Sequence, residues 1–188
     1  MFVPKVYAIL GRRGSFKTCF AVRTCYLYQQ QGKTIYSNIN LNFPHKTFTL
    51  DMLVTMPPQL QDTIVFIDEI QKWADAYKFF AKDSIALSNF VTQIRKLRVT
   101  LIFTTQFLRH TITRLRDQVD IIFIMKRVER GELSIAYVQE LDATVFEGED
   151  LILEFFFDGR RYFSMYDTNE IVFGRDEEKA KKVRKKEA

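Results

Sequence analysis

The sequence predicts an α/β fold, a mainly parallel sheet with helices on both faces. Three observations predict it. Apolar runs of strand length alternate with helix-length segments through the first two thirds of the chain. The later runs are almost wholly apolar rather than alternating, as strands buried on both faces must be. The first run also enters a Gly-containing loop that opens directly into a helical stretch.

Taken in order, "KVYAIL" reads as a buried first strand, not as part of a signal peptide, since it has a single Lys and no small-residue cleavage site. "KTCFAVRTCYLYQQQGK" reads as a helix with its stop at Gly32. "TIYSN" is a second strand, and "TIVFID" a third that ends in acids. A helix is expected over residues 84–97, then "VTLIFTTQ" and "DIIFIMK" as strands four and five. Beyond Lys126, "RVERGELSIAYVQ" and "LILEFFFDGRRYFSMYD" read as two hairpins turning at Arg130-Gly131 and Asp158-Gly159. They are expected to form a C-terminal β-hairpin extension from about residue 127, packed on the core. Residues 1–174 thus form one domain, and residues 175–188 a charged basic tail.

A chain of 188 residues, 47% of them hydrophobic, suits one domain with a substantial core. The tail carries three of the five net positive charges, so the body is nearly neutral. No apolar run reaches the roughly 20 residues needed to span a bilayer. Cys19 and Cys25 sit six apart in a predicted helix, badly placed to pair, and no Cys/His cluster suggests zinc. A reducing cytoplasm is the expected compartment.

"GRRGSFKT", residues 11–18, is nearly a phosphate-binding loop. Gly11, Lys17 and Thr18 stand at the required spacing, but residue 16, where the second Gly belongs, is Phe. Such a loop works because successive backbone N–H groups and the N-terminal end of the following helix converge on phosphate. The candidate nucleotide contacts are Gly11, Arg12, Arg13, Gly14, Ser15, Phe16, Lys17, Thr18 and Cys19. Lys17 would reach the β- and γ-phosphates, and Thr18 would help hold Mg²⁺. Phe16 is expected to begin the helix with ordinary helical angles, donating only its N–H, with its ring turned away from the phosphates.

"TIVFIDEIQ" delivers Asp68 and Glu69 to the C-terminal end of a strand, the edge where open parallel sheets bind ligands. Asp68 is the second candidate for Mg²⁺. Glu69 could orient and deprotonate an attacking water. Gln106 ends strand four at the same edge, where an amide can bond both a terminal phosphate and that water. Residues 95–116 hold Arg95, Lys96, Arg98, Arg109, Arg114 and Arg116 with no acid. One of them could serve a neighbouring subunit as an arginine finger, and others could contact DNA phosphates.

These pieces in this order resemble the FtsK–HerA group of P-loop ATPases, and within it the ATPase domain of the zonular occludens toxin family and viral genome-packaging ATPases. The resemblance rests on "GRRGSFKT", the "SNI" after strand two, "VFIDEIQKW", "RKLRVTLIFTTQ" and "MYDTNEIV", and covers about residues 5–172. It implies a RecA-like core, ATP and Mg²⁺ as cofactors, and a motor moving double-stranded DNA as a homo-oligomeric ring. It carries over Lys17, Thr18, Asp68, Glu69 and Gln106 by motif position. It puts Arg95 where relatives carry an arginine proposed to reach the next subunit. Toxin-like members usually carry a membrane span after this domain, so a chain with none fits packaging into a preformed shell better than extrusion. Capsid or membrane assembly proteins are then the expected partners, and a host cytoplasm or a virion the setting. Two other readings stand beside it, a small-molecule P-loop kinase and a nucleotide-dependent assembly factor without turnover.

Overall fold

The computed structural model describes residues 3–73, 82–128, 135–143 and 150–167. One eight-stranded sheet runs through it in the order β3-β2-β4-β5-β1-β6-β7-β8. Strands β1 (Val6–Leu10), β2 (Ile35–Ser37), β3 (Lys46–Thr47), β4 (Ile64–Ile67), β5 (Thr100–Thr105) and β6 (Ile121–Arg127) are parallel. Strands β7 (Ile135–Asp142) and β8 (Asp150–Asp158) continue the sheet antiparallel from β6. Ignoring the two-residue β3, the strand bearing the loop is separated from the acid-bearing β4 by β5 alone, as in the RecA-like core expected.

Alternation along the buried strands splits the core in two, because successive side chains of a strand point to opposite faces. On β4, Val65 and Ile67 pack with Leu53 of α2 (Leu50–Thr55), Leu87, Phe90 and Ile94 of α3 (Lys82–Leu97), and Leu115 of α4 (Thr113–Arg116). Ile64 and Phe66 pack on the other face with Phe20, Ala21, Val22 and Cys25 of α1 (Lys17–Gln30). Gly32 stops α1 as expected. It takes φ 81°, and the pair of bonds Gly32 N–H to Gln29 O and Lys33 N–H to Tyr28 O closes the helix.

One expectation for the C-terminal third needs correction. The β-hairpin extension joins the core by lengthening the central sheet with β7 and β8, and the first hairpin begins with β6. Its turn at Arg130-Gly131 lies outside the described residues, as does the basic tail. The second hairpin does not form. Gly159 adopts right-handed helical angles, φ −77°, rather than the positive φ of a tight hairpin turn. The Asp158 carboxylate accepts the Arg160 backbone N–H at 3.0 Å and its guanidinium at 2.6 Å, which starts a 3-10 turn over Arg160–Met165. Tyr162, Phe163, Met165 and Tyr166 then pack against the α1 face of the sheet. Burial on α1 wins over a return strand.

Candidate nucleotide site

Parallel register puts the candidate residues at one edge. Leu10 is level with Thr105 of β5 and Ile124 of β6, so Gly11 and Gln106 leave the sheet side by side. Ile67 is level with Phe103, which places Asp68 beside Thr104.

Asp68 is buried, and its carboxylate Oδ1 accepts hydrogen bonds from Thr18 Oγ1 at 2.9 Å and Thr104 Oγ1 at 2.7 Å. Its backbone is fixed by Asn38, whose Oδ1 accepts the Asp68 N–H at 2.7 Å and whose Nδ2 donates to the Asp68 carbonyl at 3.0 Å. Burial pushes the Asp68 carboxyl above the ordinary range, against the two hydroxyl bonds and the pull of Lys17. A buried carboxylate facing a hydroxyl is a set of hard oxygen donors, the kind Mg²⁺ takes. The residues present therefore fit the ion that the sequence implies, which Thr18 and Asp68 would hold.

The loop crosses above this pair. Gly11 is obligatory: a Cβ there would stand 2.5 Å from the Met125 carbonyl oxygen and 2.5 Å from Ser15 Oγ. Gly14 takes φ 73°. Ser15 Oγ is buried and makes no hydrogen bond among the described residues. Lys17 lies across the loop, its Nζ donating to the Arg12 carbonyl at 2.8 Å. Burial lowers its pKa, opposed by Asp68 and Glu69. Gly14, Phe16, Lys17, Thr18 and Asp68 line a cleft of about 270 Å³, whose other wall is Ile39, Tyr166 and Asp167.

Phe16 does not begin the helix with ordinary angles. It adopts φ 65°, ψ 23°, the left-handed conformation that glycine would supply at no cost. Its carbonyl still accepts the first bond of α1, from Phe20 N–H at 2.9 Å. The ring packs 5.8 Å from the Phe163 ring, with the Arg127 guanidinium 5.8 Å above its face. An aromatic clamp thus holds a backbone shape that the side chain itself disfavours.

The remaining candidates are placed less closely. Glu69 follows Asp68 with φ 51°. Its N–H donates to Thr104 Oγ1 at 2.8 Å, and its carboxylate is paired with Lys72 at 2.6 Å. Gln106 lines a separate depression of about 620 Å³ with Arg12, Arg13, Ser15, Lys126 and Arg127, not the cleft of Thr18 and Asp68. Arg95 lies in the last turn of α3, before β5 starts, and its guanidinium is 3.7 Å from Asp120, whose other oxygen accepts the Val6 N–H. That is the opposite edge of the sheet from its own loop. Arg98 joins it there, 3.6 Å from Asp62, while Arg109 stacks on Phe107 beyond β5. The basic run therefore does not form one face. Cys19 is buried, its Sγ donating to the Gly159 carbonyl at 3.4 Å. Asn38 and Thr104, which fix Asp68, received no role from the sequence, although both lie in segments that carry the resemblance.

Among the described residues, no helix is long and apolar enough to cross a membrane. No protein-family model and no curated protein matches the chain. Solved structures do. The N-terminal domain of zonular occludens toxin from Neisseria meningitidis is similar with a TM-score of 0.62 at 16% identity, over 88% of this chain and 100% of that one. The genome packaging NTPase B204 of Sulfolobus turreted icosahedral virus 2, solved with ATP-gammaS, is similar with a TM-score of 0.56 at 11% identity, over 81% and 98%. The DNA-packaging ATPase B204 of Sulfolobus turreted icosahedral virus is similar with a TM-score of 0.57 at 14% identity, over 81% and 98%. Identities this low speak for the fold alone, a mainly parallel sheet flanked by helices that this chain shares with these structures.

Proposed function

We propose that this chain is a Mg²⁺-dependent ATPase that drives double-stranded DNA, as a viral genome-packaging motor working in a ring. The observation that carries the reading is the hydrogen-bonded unit of Thr18, Asp68 and Thr104 beneath Lys17, at the mouth of a strand–loop–helix. A buried carboxylate with a raised pKa is costly to keep, and a metal–triphosphate site is a reason to keep it. B204, whose fold this chain shares, is a genome packaging NTPase.

In this reading the backbone N–H groups of residues 14–19 and the Lys17 ammonium hold the phosphates. Thr18 and Asp68 hold the Mg²⁺, which when bound neutralises charge on the phosphate oxygens. Glu69 takes the proton of the attacking water once its carboxylate leaves Lys72. Gln106 reports the state of the terminal phosphate. Arg95 cannot serve its own loop from the far edge of the sheet, so it acts on the site of the next copy.

The test is phosphate release from ATP by the full chain, with and without double-stranded DNA. DNA-stimulated release is expected. Lys17→Ala should abolish it by removing the charge that meets the transferred phosphate. Glu69→Gln should bind ATP and release no phosphate, because an amide cannot take the proton. A chain that holds ATP without hydrolysing it until a small phosphate acceptor is added would be a kinase. A second reading, an assembly factor that binds ATP without turnover, is favoured by the 2.6 Å pairing of Glu69 with Lys72. It predicts ATP-dependent oligomers with no phosphate release under any condition.

A further inference from the structure

The cleft has two chemically different walls. The loop wall, with Lys17 and Thr18, is built for phosphate. The facing wall offers an aliphatic side chain, an aromatic ring and a carboxylate, in Ile39, Tyr166 and Asp167. Nothing in that set attracts a phosphate, and a carboxylate repels one. Apolar and aromatic surfaces suit a base, and a carboxylate suits the hydroxyls of a ribose.

This wall is fixed to the segment after β2 and to the start of α1. Asn42 N–H donates to the Met165 carbonyl at 2.7 Å, and Asn42 Nδ2 to the Ser164 carbonyl at 2.5 Å. Tyr166 is bridged to Leu41, and it packs against the apolar cluster that includes Cys19, in the first turn of α1. Gly159 lets this segment close on α1, since a Cβ there would stand 3.2 Å from Cys19 Sγ and 3.1 Å from the Phe163 ring.

We propose that Ile39, Tyr166 and Asp167 form the nucleoside half of the site, with the base against Tyr166 and Ile39 and the ribose hydroxyls on Asp167. The proposal rests on the nucleotide reading given above, and it makes the segment 159–167 the part of the chain that selects a ribonucleoside triphosphate over other polyphosphates.

The test is calorimetric titration of the full chain, with Mg²⁺, using inorganic triphosphate, ATP and 2′,3′-dideoxy-ATP. Wild type should bind ATP more tightly than triphosphate. Tyr166→Ala should weaken ATP about tenfold, the scale of one aromatic–base contact, and leave triphosphate within about twofold. Tyr166→Phe keeps the ring and should keep ATP affinity, which separates stacking from any role of the hydroxyl. Asp167→Asn should lose the preference for ATP over the dideoxy nucleotide. If Tyr166→Ala weakens ATP and triphosphate equally, the segment only supports the loop and the assignment is overturned. It is overturned as well if all variants keep the wild-type preferences. A wild type that binds neither ligand overturns the nucleotide reading, and this assignment with it.

Discussion

Replacing Phe16 separates backbone strain from ring packing. The left-handed conformation at φ 65° costs a non-glycine residue about 1–2 kcal/mol. Against it stand the contact with Phe163, worth about 0.5–1.5 kcal/mol, and the Arg127 guanidinium over the ring, worth about 0.5–1 kcal/mol. The two sides are of similar size, so Phe16→Gly, which removes both, should leave stability within about 1 kcal/mol of wild type. Phe16→Ala keeps the strain and loses the ring. The Gly variant gains back the strain but gives up about 0.4–1 kcal/mol to the freer unfolded chain. Gly should therefore exceed Ala by about 0.5–1 kcal/mol, which is roughly 1–4 °C in Tm at this chain length. Scanning calorimetry of the three proteins reads that order, wild type close to Gly and both above Ala. Titration with a non-hydrolysable ATP analogue should show the Gly variant binding as wild type does, since the loop path is the one glycine prefers. An Ala variant as stable as the Gly variant, or more so, would mean that residue 16 is not left-handed in solution, and the clamp would then have no strain to hold.

Burial raises the Asp68 pKa above its unfolded value. Its contribution to stability is therefore fully present below the unfolded pKa and lost as pH rises through the folded one. Asp68→Asn should accordingly raise the Tm of the nucleotide-free protein at neutral pH by a few degrees, roughly 1 kcal/mol. The gain should close as the pH falls through the carboxylate range, and thermal melts from pH 4 to pH 8 check it. The same variant should lose Mg²⁺-dependent ATP hydrolysis, measured as phosphate release. For Arg95, mixing the inactive Lys17→Ala and Arg95→Ala proteins should restore part of the ATPase activity, because one mixed interface pairs an intact loop with an intact arginine. Mixtures as inactive as their parts would remove Arg95 from the neighbour's site. If the cations around the Gln106 depression and the tail contact DNA phosphates, DNA affinity should fall steeply with salt, with a slope that shrinks by about one for each phosphate-contacting cation replaced. A salt-independent affinity would count against a motor on DNA.

What could be read from the residues, and what could not, divides along a physical line. Buried parallel strands announce themselves as apolar runs, so β1, β4, β5 and β6 and the edge they share were readable, and with that edge the position of Lys17, Thr18, Asp68, Glu69 and Gln106 along it. Conformations decided by contacts between distant segments were not. Asp-Gly at 158–159 signals a hairpin locally, yet the Arg160 ion pair and the aromatic surface of α1 turn the chain into a 3-10 segment instead. Lys46–Thr47 is too short and too exposed to carry a periodic signal. Phe at position 16 looks like a defect in a glycine motif, because nothing near it in sequence supplies the reason to tolerate it. That reason is Phe163, on the same segment that brings Tyr166 and Asp167 to the cleft. A glycine at 16 would shape the loop without help. A phenylalanine shapes it through ring contacts with Phe163 and Arg127. The departure from the motif thus ties the phosphate loop to the wall that faces it, so substitutions at Phe163 and at Phe16 should not be additive in nucleotide affinity. A double-mutant cycle on Phe16→Gly and Phe163→Ala measures that coupling: Phe163→Ala should weaken ATP binding when Phe16 is present and have little further effect when residue 16 is Gly. Equal losses in both backgrounds would show that Phe163 supports the fold independently of the loop.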